Sequence, residues 1–519
     1  MRVCGPCRTV GMSSTGHLLR SLRDPRTGET LDARIRDARV RLAPPGALTP
    51  EPGETVLDAE GRWLIPGLWD RHVHVDQWAQ ARTRLDLTAA DSAEQALQTV
   101  RAHLSRRERD GDLDPGEALF GFGYRSSVWP RQPTVAELDA VTGPRPVVLI
   151  SGDMHNGWLN TAALRLLGAP DTDGALSENR WFPLYSQLER HMPDTARLIP
   201  QTLRDAASRG VVGLVDLEFA ANHRVWPERL AAGLNLLRVR TGVYQEHLEE
   251  VVEAGLRTGD RLCSPEQDPE GLLRMGPLKI ISDGSLGTRT AHCCSPYLGS
   301  PDPTRPSGVQ NESPQRLRRL LGAAHEAGLQ VALHAIGDAA VRHALDAYAA
   351  TGARGSIEHA QLMRREDLPR MAALGITASV QPAHLLDDRD VTDVLWADRA
   401  ERSFMLASML AAGIPLAFGS DAPVSPLDPW LEMAAAVHRS GDARPAWHPE
   451  EAIGAQAALR ASTGGRLVPA DGDVADLAIV EDNPLAPAAD TAETGARLRG
   501  MRVWATFLAG RPTHGPTAC

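Results

Sequence analysis

An apolar, β-branched run that ends in a polar residue and gives way to a helical pattern recurs eight times between residues 63 and 422, and this recurrence limits the fold more than any other feature. The runs are WLIPGLWDRHVH (63–74), GVVGLVDLE (210–218), LNLLRVRTGV (234–243), PLKIISDGS (277–285), LQVALHAIGD (329–338), ARGSIEHA (353–360), GITASVQPAH (375–384) and GIPLAFGSDA (413–422). Near-continuous apolar strands that alternate with helices pair in parallel. Eight such units predict a closed (β/α)8 barrel of the TIM type, an α/β fold. The segment SPQRLRRLLGAAHEAG (313–328) shows the helical half of a unit: it is amphipathic and stops at a glycine just before the next strand.

The gap between the first and second runs is far longer than one helix needs, which predicts an inserted subdomain over about residues 84–200, shaping the substrate pocket. Residues 28–64 and 472–512 both show short strand-like pieces separated by turn signals. The economical expectation is that the two ends pair in one small β-sandwich, with residues 1–66 and 466–519 as its parts and residues 67–465 as the barrel. A chain of 519 residues, 42% hydrophobic, suits one large barrel with a smaller unit beside it.

A formal net charge of -11 argues against nucleic acid or an anionic membrane as the main partner. A small-molecule substrate fits better, and a homodimer is the expected assembly. No apolar run is long enough for a signal peptide or a membrane span, so the cytoplasm is the expected compartment. The six cysteines are too scattered for a disulfide framework. Cys4-Gly-Pro-Cys7 has the spacing of a redox motif, but no strand precedes it and Met12 offers an alternative start, so residues 1–11 are expected to be a frayed tail. Cys293 and Cys294 are expected to pack as small apolar residues.

Catalytic sites of such barrels lie at the C-terminal ends of the strands. There the first run offers His72-Val-His74, whose alternation points both imidazoles to one side. The fourth carries Lys279, the fifth ends at His334, the sixth at His359 and the eighth at Asp421. Imidazole and carboxylate donors suit Zn2+ and its neighbours. One histidine alone is more often a packing residue, and His-x-His is a weak signal, but six donors on five strand ends are hard to assemble by accident. Asp421 also has a plain alternative as a helix N-cap before Ala422-Pro423. Asp70 is expected to orient an imidazole without touching metal.

Of the 55 lysine and arginine residues only one, Lys279, is a lysine. Chance survival in a biased composition is one reading. The other is chemical: a guanidinium stays protonated, whereas a desolvated lysine amine can add CO2 and become an anionic, two-oxygen ligand suited to bridging two cations.

Taken together, these segments resemble the amidohydrolase superfamily, specifically its YtcJ-like branch, which includes N-substituted formamide deformylases. LIPGLWDRHVH resembles the family's Pro-Gly-x-x-Asp-x-His-x-His opening, LKIISDGSLGTRTA its Lys-x-x-x-Asp-Gly segment, and LHAIGDAAV, SIEHAQLM, SVQPAH and FGSDAPVSPLDPW its later strand ends. GFGYRSSVWP, PTVAELDAV and GDMHNGWLNTAAL resemble the branch's insertion, with one departure: Asp153-Met154-His155 stands where the branch usually has Asp-Gly-His.

The resemblance implies two divalent metals, zinc being expected, with His72, His74, Lys279 and Asp421 on the more buried one and carbamylated Lys279, His334 and His359 on the second. It implies hydrolysis of a C–N bond by a shared hydroxide, with Asp421 as general base. Substrate contacts are expected from Trp129, His155, Trp158, Arg289 and His384, the last placed to meet an oxyanion. Deaminase, lactonase or ester hydrolase chemistry on the same residues, or a non-catalytic metal-binding scaffold, are the competing expectations.

Overall fold

In the computed structural model, residues 16–110, 118–188, 197–299, 304–516 and 518 are described. The Cys4–Cys7 pair and the expected frayed tail lie outside these residues. The eight runs fold as parallel strands of one sheet: β1 (Leu68–Val73), β2 (Val211–Asp216), β3 (Arg238–Tyr244), β4 (Leu273–Ile281), β5 (Val331–Ala335), β6 (Gly355–His359), β7 (Thr377–Val380) and β8 (Leu416–Phe418). Their spatial order follows their chain order, and the ends meet through a parallel bridge between Val73 and Ala422. That bridge carries two backbone hydrogen bonds, Asp421 N–H to His72 O at 2.7 Å and His74 N–H to Ala422 O at 3.0 Å. Closure of the barrel is therefore also what sets Asp421 beside the histidine pair.

Strands β2 and β5 are buried at every position, as strands covered on both faces must be. Their side chains join one large core with those of the surrounding helices, in which Leu214, Leu278, Leu333 and Ile357 are almost wholly enclosed. Full burial of each such side chain contributes about 1.5–3 kcal/mol. The helix Pro314–Ala327 starts at an Ser313 cap, whose side chain accepts from Arg316 N–H, and ends at Gly328 in the left-handed conformation.

One run divides where continuity was expected. WLIPGLWDRHVH forms two strands: Trp63–Pro66 pairs antiparallel with Leu477–Val480 of the C-terminal segment, and only from Leu68 does the chain enter the barrel. Gly67 is the crossing point, and a Cβ there would lie 2.3 Å from Val212 Cγ1. The two ends of the chain thus meet in one eight-stranded sheet, whose core includes Leu19, Ile35, Leu477 and Phe507.

The long first connection holds a five-stranded sheet, Leu85–Asp86, Leu119–Tyr124, Val147–Ser151, Asn156–Leu159 and Leu176–Ser177, before the helix Ile199–Ser208 returns to the barrel. Trp129 and Trp158 pack in its core, with their indole N–H groups donating to Ala90 O and Thr134 O. They are absent from the wall of the cavity described below, contrary to the expectation that they touch substrate. Among the described residues no helix is long and apolar enough to cross a membrane.

Candidate metal centre

Six polar side chains gather at the C-terminal mouth of the barrel, all of them buried: His72, His74, Lys279, His334, His359 and Asp421. Asp421 Oδ1 lies 3.4 Å from His72 Nε2 and 3.3 Å from His74 Nε2, and Lys279 Nζ lies 3.1 Å from His72 Nε2. The His334 and His359 rings meet edge to face at 4.5 Å between centroids, and His359 is 5.1 Å from His72. His72, His359 and Asp421 can each direct a ligand atom to within 4.8 Å of the others. His359 Nδ1 and His74 Nδ1 are buried without a hydrogen-bond partner, a costly state for an imidazole nitrogen that a bound cation or water relieves. The donor set and its geometry fit a divalent metal centre.

Two of the candidate ligands carry backbone strain. His359 has φ 70° and Asp421 φ 55°, in the left-handed region where a side chain costs about 1–3 kcal/mol. Asp421 N–H and the bridge to β1 hold one of them there, and the packed strand end holds the other.

Electrostatics sort the group by sign. Burial drops the His72 imidazole below its ordinary range and His334 and His359 well below it, with Lys279 adding to the effect at each. Burial likewise lowers Lys279, against the opposing pull of Glu358 and Asp421. Burial alone would raise Asp421, yet His72, His74 and His359 hold it well below the usual carboxylate range. Neutral imidazoles and an ionised carboxylate are the forms that bind cations, and burial favours the neutral amine of Lys279 over the ammonium, which cannot.

The supporting residues differ in part from expectation. Asp70 does not meet an imidazole: it accepts His72 N–H at 3.0 Å, Ser420 N–H at 3.1 Å and the Ser420 hydroxyl at 2.5 Å, tying β1 to the β8 end. Glu358 takes the role expected of Asp70, its Oε2 accepting from His72 Nδ1 at 2.8 Å. Asp283, of the Lys-x-x-x-Asp-Gly segment, accepts backbone N–H from His292, Ile336 and Gly337, and burial brings it up to about 7. Glu358 sits directly before His359 in the sequence, and no spacing rule marks it out.

A cavity of about 590 Å³ opens over the centre. Its wall carries the six donors together with His155, His384, Phe182 and Phe219. His384, the first residue of the helix His384–Leu395, lies 4.0 Å from Asp421 Oδ2, with Nε2 buried and unpartnered. His155 reaches in from the inserted subdomain, its ring 5.9 Å from that of His334. Burial would lower His155, but Glu178 and the nearby Asp153 and Asp421 bring it up to about 9. Arg289, expected to contact substrate, does not border the cavity.

Comparison with known proteins matches this architecture. The sequence pattern of the Amidohydrolase family fits residues 55–514. The YtcJ chain of Bacillus subtilis (strain 168) is 28% identical over 484 residues, covering 84% of this chain and 87% of that one. The N-substituted formamide deformylase of Arthrobacter pascens is 26% identical over 452 residues, covering 79% and 80%. A metal-dependent hydrolase from Pyrococcus furiosus, of uncharacterized activity, shares the fold with a TM-score of 0.70 at 24% identity, over 91% of this chain and 100% of that one. With the pattern matched from the terminal sheet through the barrel and back, the chain belongs to the amidohydrolase family.

Proposed function

We propose that this chain hydrolyses a carbon–nitrogen bond, of amide, N-formyl or N-acyl type, in a small molecule, with His72, His74, Lys279, His334, His359 and Asp421 holding two divalent metals, zinc by the nature of the donors. The observation that carries the reading is the convergence of six buried donors from five strand ends on one cavity. The deformylase among the relatives favours a C–N bond over an ester.

Lys279 supports the two-metal form. Its buried amine, disfavoured as an ammonium, can form an N–C bond to CO2 with loss of a proton, and the resulting carbamate would supply an anionic, two-oxygen ligand to the cations. When bound, the metals supply Lewis acidity to the scissile carbonyl and lower the pKa of the attacking water.

The chain's own residues do the rest. Asp421, kept ionised by its imidazole neighbours, takes the proton of the attacking water and returns it to the leaving nitrogen. His384 Nε2 hydrogen-bonds the oxygen on which negative charge develops. Phe182, Phe219 and the inserted subdomain narrow the mouth and limit the entry of further water.

The test is a substrate panel of N-formyl, N-acyl, carbamoyl, aminated-ring and lactone compounds, run on zinc-supplied protein of measured metal content. Turnover of amides at about two metals per chain is expected. Turnover confined to lactones or aminated rings overturns the C–N acyl assignment, and a chain that binds no metal overturns the centre itself.

A further inference from the structure

The inserted subdomain reaches the metal-centre cavity with a small polar cluster that the proposed reaction has not yet used. Asp153 is saturated: it accepts from the Ser151 hydroxyl at 2.6 Å, the Ser285 hydroxyl at 2.6 Å and His155 N–H at 3.2 Å. Glu178 behaves differently. Its Oε1 gathers His155 Nδ1–H at 3.0 Å, the Thr288 hydroxyl at 3.1 Å and the Thr290 hydroxyl at 2.6 Å, while Oε2 is buried with no partner. Three donors on one oxygen fix the carboxylate plane, and two of those donors come from the barrel loop that follows β4. The insertion and the barrel are therefore locked together at the atom that holds the His155 ring.

The backbone is strained on both sides of this contact. Met154 has φ 66° and Glu178 φ 51°, and Glu178 N–H donates to His155 O at 3.1 Å. Strain of this kind persists only where surrounding contacts over-determine it, and it clusters where a side chain must be aimed. With Nδ1 taken by Glu178, the His155 atom left for a ligand is Nε2, on a ring that borders the cavity and lies 5.9 Å from His334 and 5.2 Å from Phe182.

We infer that Glu178 is a positioning residue for His155, and that His155 Nε2 makes a hydrogen bond to a polar atom of the substrate beside the scissile bond, so that the inserted subdomain completes the catalytic site. This rests on the hydrolase reading above. A buried His–Glu pair that merely glued the subdomain to the barrel has no need to border the cavity or to leave one imidazole nitrogen for a ligand.

The experiment is a double-mutant cycle on the amide that the wild-type chain turns over best. His155→Ala and Glu178→Met each lower kcat/KM at least tenfold, with the fold and the metal content held. Glu178→Gln, which keeps an accepting oxygen, recovers part of the loss. The double variant is no worse than the poorer single one, because Glu178 acts only through His155. Losses that multiply, or a Glu178→Met chain within twofold of wild type, overturn the inference. Should Glu178→Met fail to fold, Thr290→Val takes its place: a smaller loss that vanishes in the His155→Ala background is expected, and an equal loss in both backgrounds overturns it. A wild-type chain with no amide turnover counts against the hydrolase reading instead. The positioning role is then decided by the 15N spectrum of histidine-labelled protein, in which His155 Nδ1 is protonated whatever the state of Nε2; a bare Nδ1 refutes it.

Discussion

Glu358 Oε2 stands 2.8 Å from His72 Nδ1, across the barrel from a residue 286 positions away, while the next residue on the same strand, His359, faces the same metal centre. Two consecutive residues of β6 would thus serve the candidate centre in different ways, Glu358 by orienting His72 and His359 by offering a ligand atom. Replacing the carboxylate frees the His72 ring and its tautomer. Glu358→Gln is expected to weaken zinc binding about 10–100-fold with little change in the metal-free fold. Competition with a chelator of known affinity measures it, and an unchanged zinc affinity speaks against the orienting role.

Gly419 is where β8 passes β1 most tightly. A Cβ there would lie 2.5 Å from His72 N, 2.8 Å from His72 Cβ and 3.0 Å from Asp70 Oδ1. Backbone atoms cannot rotate away, so Gly419→Ala is expected to cost about 1–3 kcal/mol of stability and to displace His72 as well. Urea denaturation with parallel metal analysis checks both, and a variant with normal stability and full metal would show that the two strands have slack.

The aromatic residues of the insertion separate a core role from a substrate role. Trp158 is fully enclosed and its N–H is satisfied by Thr134 O. Trp158→Ala is expected to destabilise the chain by about 3–5 kcal/mol without changing metal content. A raised KM at unchanged stability would return Trp158 to the substrate site.

Much of this was legible in the amino-acid sequence, and what was not has a physical reason. Strands covered on both faces, such as β2 and β5, were visible because they stay apolar until the polar residue at the C-terminal end, Asp216 and His334. The six side chains that converge on the cavity were visible because a barrel puts its chemistry at strand ends. The break of the run 63–74 into two strands was not, since its apolar stretch, residues 63–69, crosses Gly67 without interruption and only the sheet each piece joins tells them apart. The orienting role expected of Asp70 falls to Glu358 because the partner of a buried carboxylate depends on cross-barrel distances that no local spacing encodes. Trp129 and Trp158 are expected at the pocket from their place in the insertion, but an indole in the core of that subdomain has the same sequence signature as one in a site.

Titration of the metal-free chain gives an asymmetric stability profile. Burial holds His334 and His359 well below the ordinary imidazole value of 6.5, and His72 below it. The unfolded chain takes up protons there that the folded chain refuses, so stability falls as pH drops below 6.5. His155 works with the opposite sign: burial would lower it, but Glu178 raises it to about 9, so its contribution is full below 6.5 and is lost as pH rises through about 9. Melting temperatures of chelator-treated protein are expected to peak between these two values. A melting temperature that climbs steadily toward acid pH contradicts the assignment of neutral buried imidazoles.

Lys279 is the chain's single lysine, and it lies with its amine 3.1 Å from His72 Nε2 in the middle of the centre. What that amine becomes decides the nature of the centre. The most direct measurement is a crystal structure of the full chain grown with zinc and bicarbonate. The predicted result is continuous density extending from Lys279 Nζ as a carbamate between two metals, with His72, His74 and Asp421 on one and His334 and His359 on the other. A bare Lys279 ammonium beside a single metal would contradict it.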